Sequence, residues 1–168
     1  PPAAVPDHCG TCDRCIRACP TGAIEGPRQL NANKCISFWT IEARAAAPVE
    51  IRVKTGDWFF GCDICQTVCP WNEKVFGRED MRALAEGTNS ADAELVEDLR
   101  WVLRSSHREI SRRCKPSPRS RARPLGLKRN ALVVIGNKRL KDRRSEAETA
   151  LTEPRLKELA EWALDQLT

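Results

Sequence analysis

The second half of the chain repeats apolar residues at the spacing of an α-helix. Four apolar residues between Leu95 and Leu103 fall on one face of a predicted helix, and Ser90 is its expected N-cap. A second, shorter helix is predicted over His107 to Cys114. Each apolar face needs a neighbour to cover it, so the pattern predicts helices that pack in pairs.

Two further apolar segments follow. The run from Leu127 to Ile135 contains only three polar residues, and Gly136-Asn137 is the expected stop signal. Leu and Ala then recur on one side of a final helix, for which Thr152 is the predicted N-cap. Three prolines interrupt the segment from Lys115 to Pro124, which is therefore predicted to be a loop. Antiparallel helix pairs of this size resemble the units of helical-repeat proteins.

The first half shows little periodicity, and its predicted elements are short. Ile36, Trp39 and Ala43 share one face of a short predicted helix. Further along, the aromatic segment from Trp58 to Phe60 leads to the second group of cysteines. These aromatic residues would either shield a buried site from water or belong to an ordinary core.

Eight of the nine cysteines lie between Cys9 and Cys69, in a spacing that a metal cluster requires. The first group, CGTCDRCIRACP, reads Cys9-x2-Cys12-x2-Cys15-x3-Cys19-Pro20 and matches the bacterial ferredoxin run for a [4Fe–4S] cluster. The second group, GCDICQTVCP, reads Cys62-x2-Cys65-x3-Cys69-Pro70. It lacks the first cysteine of a full run, and Cys35 is the expected replacement.

Two half-sequences of this kind predict two clusters, with the fourth cysteine of each run crossing over to the other cluster. The physical reason is reach, because a tight loop can cap three corners of a cubane but cannot fold back to cap the fourth. Cluster 1 is therefore assigned to Cys9, Cys12, Cys15 and Cys69. Cluster 2 is assigned to Cys19, Cys35, Cys62 and Cys65.

Two other uses of cysteine fit this spacing less well. Disulfides suit small secreted proteins, but these pairs would form only short local bridges, and the sequence shows no signal peptide. Zinc normally takes two CxxC pairs separated by a longer insert, rather than three cysteines at consecutive spacing followed by Cys-Pro. The pattern favours iron–sulfur ligation in a reducing compartment, and we expect a cytoplasmic protein.

Charge is distributed unevenly along the 168 residues, whose net charge is +5. From Arg104 to Arg144 there are 15 Lys and Arg against only Glu109 and Asp142, so the rest of the chain is net acidic. This segregation predicts a surface for a polyanion. No apolar run approaches membrane-spanning length, so we expect a soluble monomer without a membrane partner. The start at Pro1, with Met81 as the sole methionine, indicates a piece of a longer product.

Several longer motifs resemble those of the epoxyqueuosine reductases. They are C-G-x-C-x-x-C-x-x-x-C-P-T-x-A-I, K-C-I-S-F-W-T-I-E and W-F-F-G-C-D-I-C-Q-T-V-C-P-W-N, and the later S-P-R-S-R-A-R-P-L-G-L-K-R-N-A-L-V-V-I-G-N is similar to the family's helical-repeat tail. The resemblance covers nearly the whole chain. It implies an α+β fold, with a bacterial ferredoxin-like two-[4Fe–4S] domain over residues 1–77 and an all-α HEAT-like helical-repeat domain with a basic surface over residues 78–168.

The resemblance also implies a function, the cobalamin-dependent reduction of epoxyqueuosine to queuosine at the wobble position of a tRNA anticodon. Electrons from an external donor of ferredoxin or flavodoxin type would pass through the clusters to cobalamin, which performs the chemistry. The family's pattern assigns cobalamin contacts to Ser37, Cys62 and Asp63. From the residues alone, Ser37 is a helix-start hydroxyl and Asp63 a loop carboxylate. In the family the cobalamin domain and its catalytic acid lie upstream, so we expect no catalytic residue and no turnover from this chain alone.

A tRNA substrate would account for the basic segment, since phosphate neutralisation supplies most sequence-independent affinity for nucleic acids. The residues expected to contact tRNA are Arg112, Arg113, Lys115, Arg119, Arg121, Arg123, Lys128 and Arg129. The simpler alternative is a solvated basic face. Two other functions stay open: a stand-alone electron-transfer ferredoxin with a helical docking appendage, and the redox half of another cobalamin enzyme such as a reductive dehalogenase. Neither of these needs a surface that follows phosphates.

Overall fold

The structure, a computed structural model, describes residues 9–76 and 89–168, which are mostly helical with one small sheet. Elements of the first half are short: α1 (Arg14–Ala18), β1 (Ile24–Gly26), β2 (Gln29–Leu30), a 3₁₀ turn (Ala32–Lys34), a π-helical turn (Phe38–Glu42), α2 (Val49–Lys54), α3 (Ile64–Thr67) and α4 (Pro70–Phe76). The two strands pair antiparallel, with Ile24 opposite Leu30. The predicted domain boundary between residues 77 and 78 lies outside the described residues.

The second half consists of longer helices: α5 (Asn89–Arg104), α6 (His107–Cys114), a 3₁₀ helix (Pro118–Ala122), α7 (Arg123–Asn137), a 3₁₀ turn (Lys141–Arg143), α8 (Arg144–Ala150) and α9 (Lys157–Gln166). Helix α6 has the predicted bounds, and α5 begins one residue before its expected cap. In the described parts of the chain, every helix is too short or too polar to cross a membrane.

Two predictions in this half were wrong. Thr152 does not cap α9, since its hydroxyl donates to the Thr149 carbonyl and α9 begins only at Lys157. The proline-rich segment is not an open loop, because Pro118 begins a 3₁₀ helix and Pro124 lies in the first turn of α7. A first-turn N–H has no helical partner to lose, so proline is tolerated there. Helix α7 does end at the predicted stop, since Asn137 is its last residue.

Helix α7 forms the centre of the hydrophobic core. Its residues from Ala131 to Ile135 are almost fully buried. Helices α5, α6 and α9 all contact it. From α5 the core receives Leu99 and Val102, and from α9 it receives Leu159 and Ala163, as the apolar stripes predict. Burial on nearly all sides explains why α7 reads as a continuous apolar run in the sequence.

Polar side chains of α7 bind the loops of the first half. The Asn130 amide nitrogen donates to the carbonyls of Thr40 at 2.7 Å and Phe59 at 2.9 Å. About two turns further along the helix, the Asn137 amide nitrogen donates in the same way to the carbonyls of Arg52 and Gly56, both at 2.9 Å. These loops lead to or from the cysteine segments, so α7 fixes the position of the first half against the helical core.

Gly136 allows α9 to approach α7 closely. A Cβ atom built at Gly136 would lie 2.6 Å from Cζ3 of Trp162 and 3.3 Å from the backbone Cα of Ala163. We expect Gly136→Ala to destabilise the protein, because overpacking costs about 1–3 kcal/mol and exceeds the roughly 1 kcal/mol that alanine gains in helix propensity. Thermal unfolding should show a melting temperature lower by a few degrees.

The matched control on the same helix is Gly126→Ala. A Cβ atom there would meet Nη2 of Arg129 at 3.5 Å and Cβ of Ala122 at 3.6 Å, which are ordinary contacts. This variant should melt at or above the wild-type temperature, since only the helix-propensity gain remains. Equal destabilisation by both variants would contradict a specific close approach at Gly136.

Candidate metal centres and basic surface

Two cavities in the first half divide the eight cysteines between them. A cavity of about 260 Å³ is lined by Cys19, Cys35, Cys62 and Cys65. A second cavity, of about 210 Å³, is lined by Cys9, Cys12, Cys15 and Cys69. We call these the large and the small cysteine cavity. Cys65, Ile24 and Gln66 lie on the wall that the two cavities share.

Short helices separate the crossing cysteines from their own loops. Cys15 lies within α1, whereas Cys19 follows its end in an extended conformation. In the second group Cys65 lies within α3, and Cys69 follows that helix and precedes α4. Because α1 and α3 contact each other, the residue after each helix reaches the neighbouring cavity. Pro70 then begins α4, where its missing N–H breaks no helical bond.

The thiols differ in their surroundings. The Ala23 N–H donates to Sγ of Cys19 at 3.2 Å. Burial alone would raise the pKa of Cys19, but the hydrogen bonds from Thr21 and Ala23 hold it below the ordinary value. Burial raises the pKa of Cys62 to about 11, and the nearby thiols add to the increase. Burial thus disfavours the thiolate form of Cys62, and a metal bound there would compensate its charge.

The arrangement suits a cluster better than a single ion. Within residues 9–76 and 89–168, no three His, Cys, Asp or Glu side chains are grouped closely enough to hold one metal ion. The cysteines instead line the walls of open volumes, which a body of several atoms can span. No disulfide joins any two of the described cysteines, contrary to the disulfide alternative.

Apolar residues line both cavities, and they are not the aromatic residues of the segment from Trp58 to Phe60. Ile36 and Ile64 line the large cavity, and Trp71 lines the small one. Phe59 belongs to the helical core instead. Trp71 follows the second Cys-Pro pair directly, and this position is the sequence signal that would have identified it.

The three residues that the resemblance assigns to cobalamin lie on the wall of the large cavity. The Ser37 hydroxyl donates to the carbonyl of Cys62 at 3.1 Å, so it fixes the loop that carries this cysteine. Asp63 is exposed and immediately precedes α3. Ser37 and Asp63 therefore flank one cysteine of the large cavity.

Most of the predicted tRNA-contacting residues are exposed on and around α6 and the Pro118–Ala122 helix. The exposed members of this set are Arg112, Arg113, Lys115, Arg121 and Arg123. Arg119 pairs with Asp98 at 2.6 Å. Lys128 is half-buried, and its Nζ donates to the Leu103 carbonyl at 3.2 Å. We call the seven residues Arg112, Arg113, Lys115, Arg119, Arg121, Arg123 and Lys128 the basic surface.

Arg129 does not fit the prediction of an RNA contact. It is 6% exposed, and its Nη2 donates to the Ala43 carbonyl at 2.7 Å. Burial and the nearby charges of Arg44 and Arg155 lower its pKa. Arg129 and Asn130 are both α7 side chains that bind the first half. The prediction of an RNA contact for Arg129 was wrong because its place in a basic segment does not show whether the side chain is exposed or buried.

Comparisons with known proteins agree with the iron–sulfur prediction. Residues 8–72 match the family of 4Fe-4S double cluster binding domains. The chain is 42% identical over 137 residues to epoxyqueuosine reductase of Pseudomonas aeruginosa, covering 81% of this chain and 36% of that protein. It is 38% identical over 130 residues to epoxyqueuosine reductase of Synechocystis sp., covering 74% of this chain and 42% of that protein.

Solved structures of epoxyqueuosine reductases are similar to nearly all of this chain. An epoxyqueuosine reductase with an epoxyqueuosine-modified tRNA-Tyr stem loop has a TM-score of 0.79 and 31% identity, and it matches 99% of this chain and 44% of that one. Epoxyqueuosine reductase from Streptococcus thermophilus has a TM-score of 0.77 and 25% identity, over 99% of this chain and 43% of that one. The chain thus spans less than half the length of these relatives.

Proposed function

Since this chain is a relative of the epoxyqueuosine reductases over less than half of their length, we propose that it is the electron-relay and RNA-binding part of an oxidoreductase that converts epoxyqueuosine to queuosine in tRNA. The observation that carries this proposal is that eight cysteines line two adjoining cavities in a chain that also carries an exposed basic surface. An electron relay needs the cysteine cavities, and a nucleic-acid substrate needs the basic surface.

In this proposal each cavity holds one [4Fe–4S] cluster through its four cysteines. Bound clusters of this type supply one-electron transfer. Four thiols on each cavity wall, apolar side chains beside them and the match to a double-cluster domain support this assignment. Ile36, Ile64 and Trp71 would keep water from the sulfurs, and solvent exposure is one of the factors that set a cluster's potential.

Hydrogen bonds to sulfur are a second such factor, and they differ between the cavities. The bond from Ala23 to Cys19 stabilises negative charge on that sulfur, so it would favour the reduced state of a group in the large cavity. Cobalamin would contact the same side through Ser37, Cys62 and Asp63. What supports this part of the proposal is that all three residues share the wall of one cavity.

The basic surface would bind the phosphates of tRNA. Five of its seven residues are exposed, and Arg113 packs over the ring of Trp101 with Cζ at 4.2 Å from the centroid, which fixes part of its side chain. Lys115 and Arg123 form no ion pair with a carboxylate among the described residues, so their charges are available to a ligand. Arg129 is left out of the proposed contacts because it is buried.

We expect the anaerobically reconstituted chain to bind a tRNA anticodon stem loop with an affinity that falls steeply as salt rises. Seven phosphate contacts correspond to a slope of roughly −5 in a plot of log K against log salt concentration. Arg112→Ala and Lys115→Ala should each reduce that slope by about one, since each removes one phosphate contact. Fluorescence anisotropy at several salt concentrations measures both quantities.

Lys54→Ala is the control, because Lys54 is an exposed lysine of α2 outside the basic segment. Its slope should equal that of the wild-type chain. Binding that is absent, or independent of salt, would overturn the proposed tRNA contact and favour a stand-alone electron-transfer ferredoxin.

A further inference from the structure

A third cavity lies within the basic surface and shares no residue with the two cysteine cavities. It has a volume of about 260 Å³ and opens between α6, the Pro118–Ala122 helix and the first turn of α7. Ile110, Cys114 and Leu127 form its apolar floor, and all three belong to the buried core. Pockets for drug-sized ligands measure about 300–1,000 Å³, so this one suits a single ring system.

The rim of this cavity carries positive charge. Lys115 and Arg123 are exposed and, in the described parts of the chain, neither is paired with a carboxylate. Arg119 also lines the cavity, but its charge is engaged by Asp98 and its guanidinium lies over the Phe59 ring, with Cζ 5.6 Å from the centroid. The site thus combines the planar, fixed guanidinium of Arg119 on its wall with the two unpaired cations of Lys115 and Arg123 at its opening.

Arg123 has an unusual backbone conformation at this position. Its φ of 60° and ψ of 162° lie in a region that residues other than glycine rarely adopt. Strain of this kind persists where surrounding structure holds a residue in place, and it is concentrated at ligand-binding sites. Here it sets the Arg123 side chain at the junction of the 3₁₀ helix and α7, beside the cavity.

An apolar floor and a cationic rim match the two parts of a nucleotide. Phosphates alone need no apolar floor, and an aliphatic ligand needs no cations. RNA loops present unstacked bases that proteins bind against apolar or aromatic side chains and guanidinium planes. We propose that this cavity binds one unstacked nucleotide of the tRNA loop, with its base on Ile110, Cys114 and Leu127 and its phosphate at Lys115 and Arg123.

This inference rests on the proposed tRNA binding and adds a second recognition point to it. The nucleotide held here differs from the one to be reduced, because the cavity contains none of the eight cysteines assigned to the clusters and none of the residues assigned to cobalamin. Such a site would hold the loop in register while the target base is presented to the redox centre.

The test uses the full 168-residue chain and a set of tRNA anticodon stem loops in which one loop position at a time lacks its base. Removal of the base at one position other than the modified one should weaken binding about 5- to 150-fold, the range for loss of one stacked base. The protein change is Ser111→Trp, which fills the cavity from an exposed position on α6. It should weaken binding of the intact stem loop by a similar factor and leave the salt slope unchanged.

The two changes should not add. Ser111→Trp should have little effect on the stem loop that already lacks the critical base, since both remove the same contact. Thr149→Trp, at an exposed position on α8, is the control and should bind every RNA as the wild-type chain does. If the chain binds the stem loop but no missing base matters, or the two changes add fully, this inference fails while tRNA binding stands. If the chain binds no stem loop at all, the proposed function fails with it.

Discussion

The double variant C9A/C69A is expected to keep one complete [4Fe–4S] cluster, with about four irons per chain instead of about eight. Both removed thiols line the small cysteine cavity, which then retains Cys12 and Cys15 of its assigned set, beside Cys65 of the shared wall. The large cavity keeps all four of its cysteines. Iron analysis and the visible absorbance of the reconstituted chain should both fall to about half.

The matched control C9A/C19A removes the same number of thiols but takes one from each cavity. Neither assigned set of four cysteines is then complete, so neither cluster is fully ligated by its own set and both should be lost readily on exposure to air. If each loop kept its own fourth cysteine, the two double variants would exchange behaviour, with C9A/C19A retaining the stable cluster. That outcome would overturn the crossover assignment.

The ninth cysteine supplies a further control. Cys114 lies in the helical core, and burial raises the pKa of its thiol, as expected for a small apolar residue without a metal. Cys114→Ala should therefore bind as much iron as the wild-type chain. A loss of iron on this substitution would show that the count of eight ligands is wrong.

The cysteine sets could be predicted from sequence because their geometry is local. Three cysteines at consecutive spacing lie on one short loop and helix, and only the destination of the fourth depends on tertiary structure. Helices α1 and α3 place Cys19 and Cys69 beyond their ends, which supports the predicted crossover. Leu30 lines the large cavity from β2, and it left no comparable signal in the sequence.

The basic segment was harder to interpret, because composition does not distinguish a surface cation from a buried one. Arg123 and Arg129 both belong to α7, yet the first is exposed and the second is buried against a backbone carbonyl. Since α7 is covered on nearly every side, its polar residues serve as hydrogen-bond donors to other segments instead of marking a solvated face. The amphipathic pattern that identifies α9 is absent from such a helix.

Asn130→Ala is expected to give the largest loss of stability among substitutions outside the cysteines. Asn130 is 6% exposed, and its amide donates to two buried carbonyls, those of Thr40 and Phe59. Each buried group left without a partner costs about 1–3 kcal/mol, so the free energy of unfolding should fall by roughly 2–5 kcal/mol. For a chain of this size the melting temperature should drop by about 5–15 °C.

The matched control is Asn137→Ala, which removes two hydrogen bonds of similar length from the same helix. The carbonyl of Gly56 is exposed there, so water can replace the lost donor and the decrease in melting temperature should be clearly smaller. The two variants should also differ in iron content, because the Thr40 and Phe59 loops lie next to the segments that carry Cys35 and Cys62. Iron should therefore be lost from the large cavity of Asn130→Ala first. Equal effects of the two variants would show that Asn130 is not the main link between α7 and the first half. The buried amide of Asn130 would then be only one contact among many.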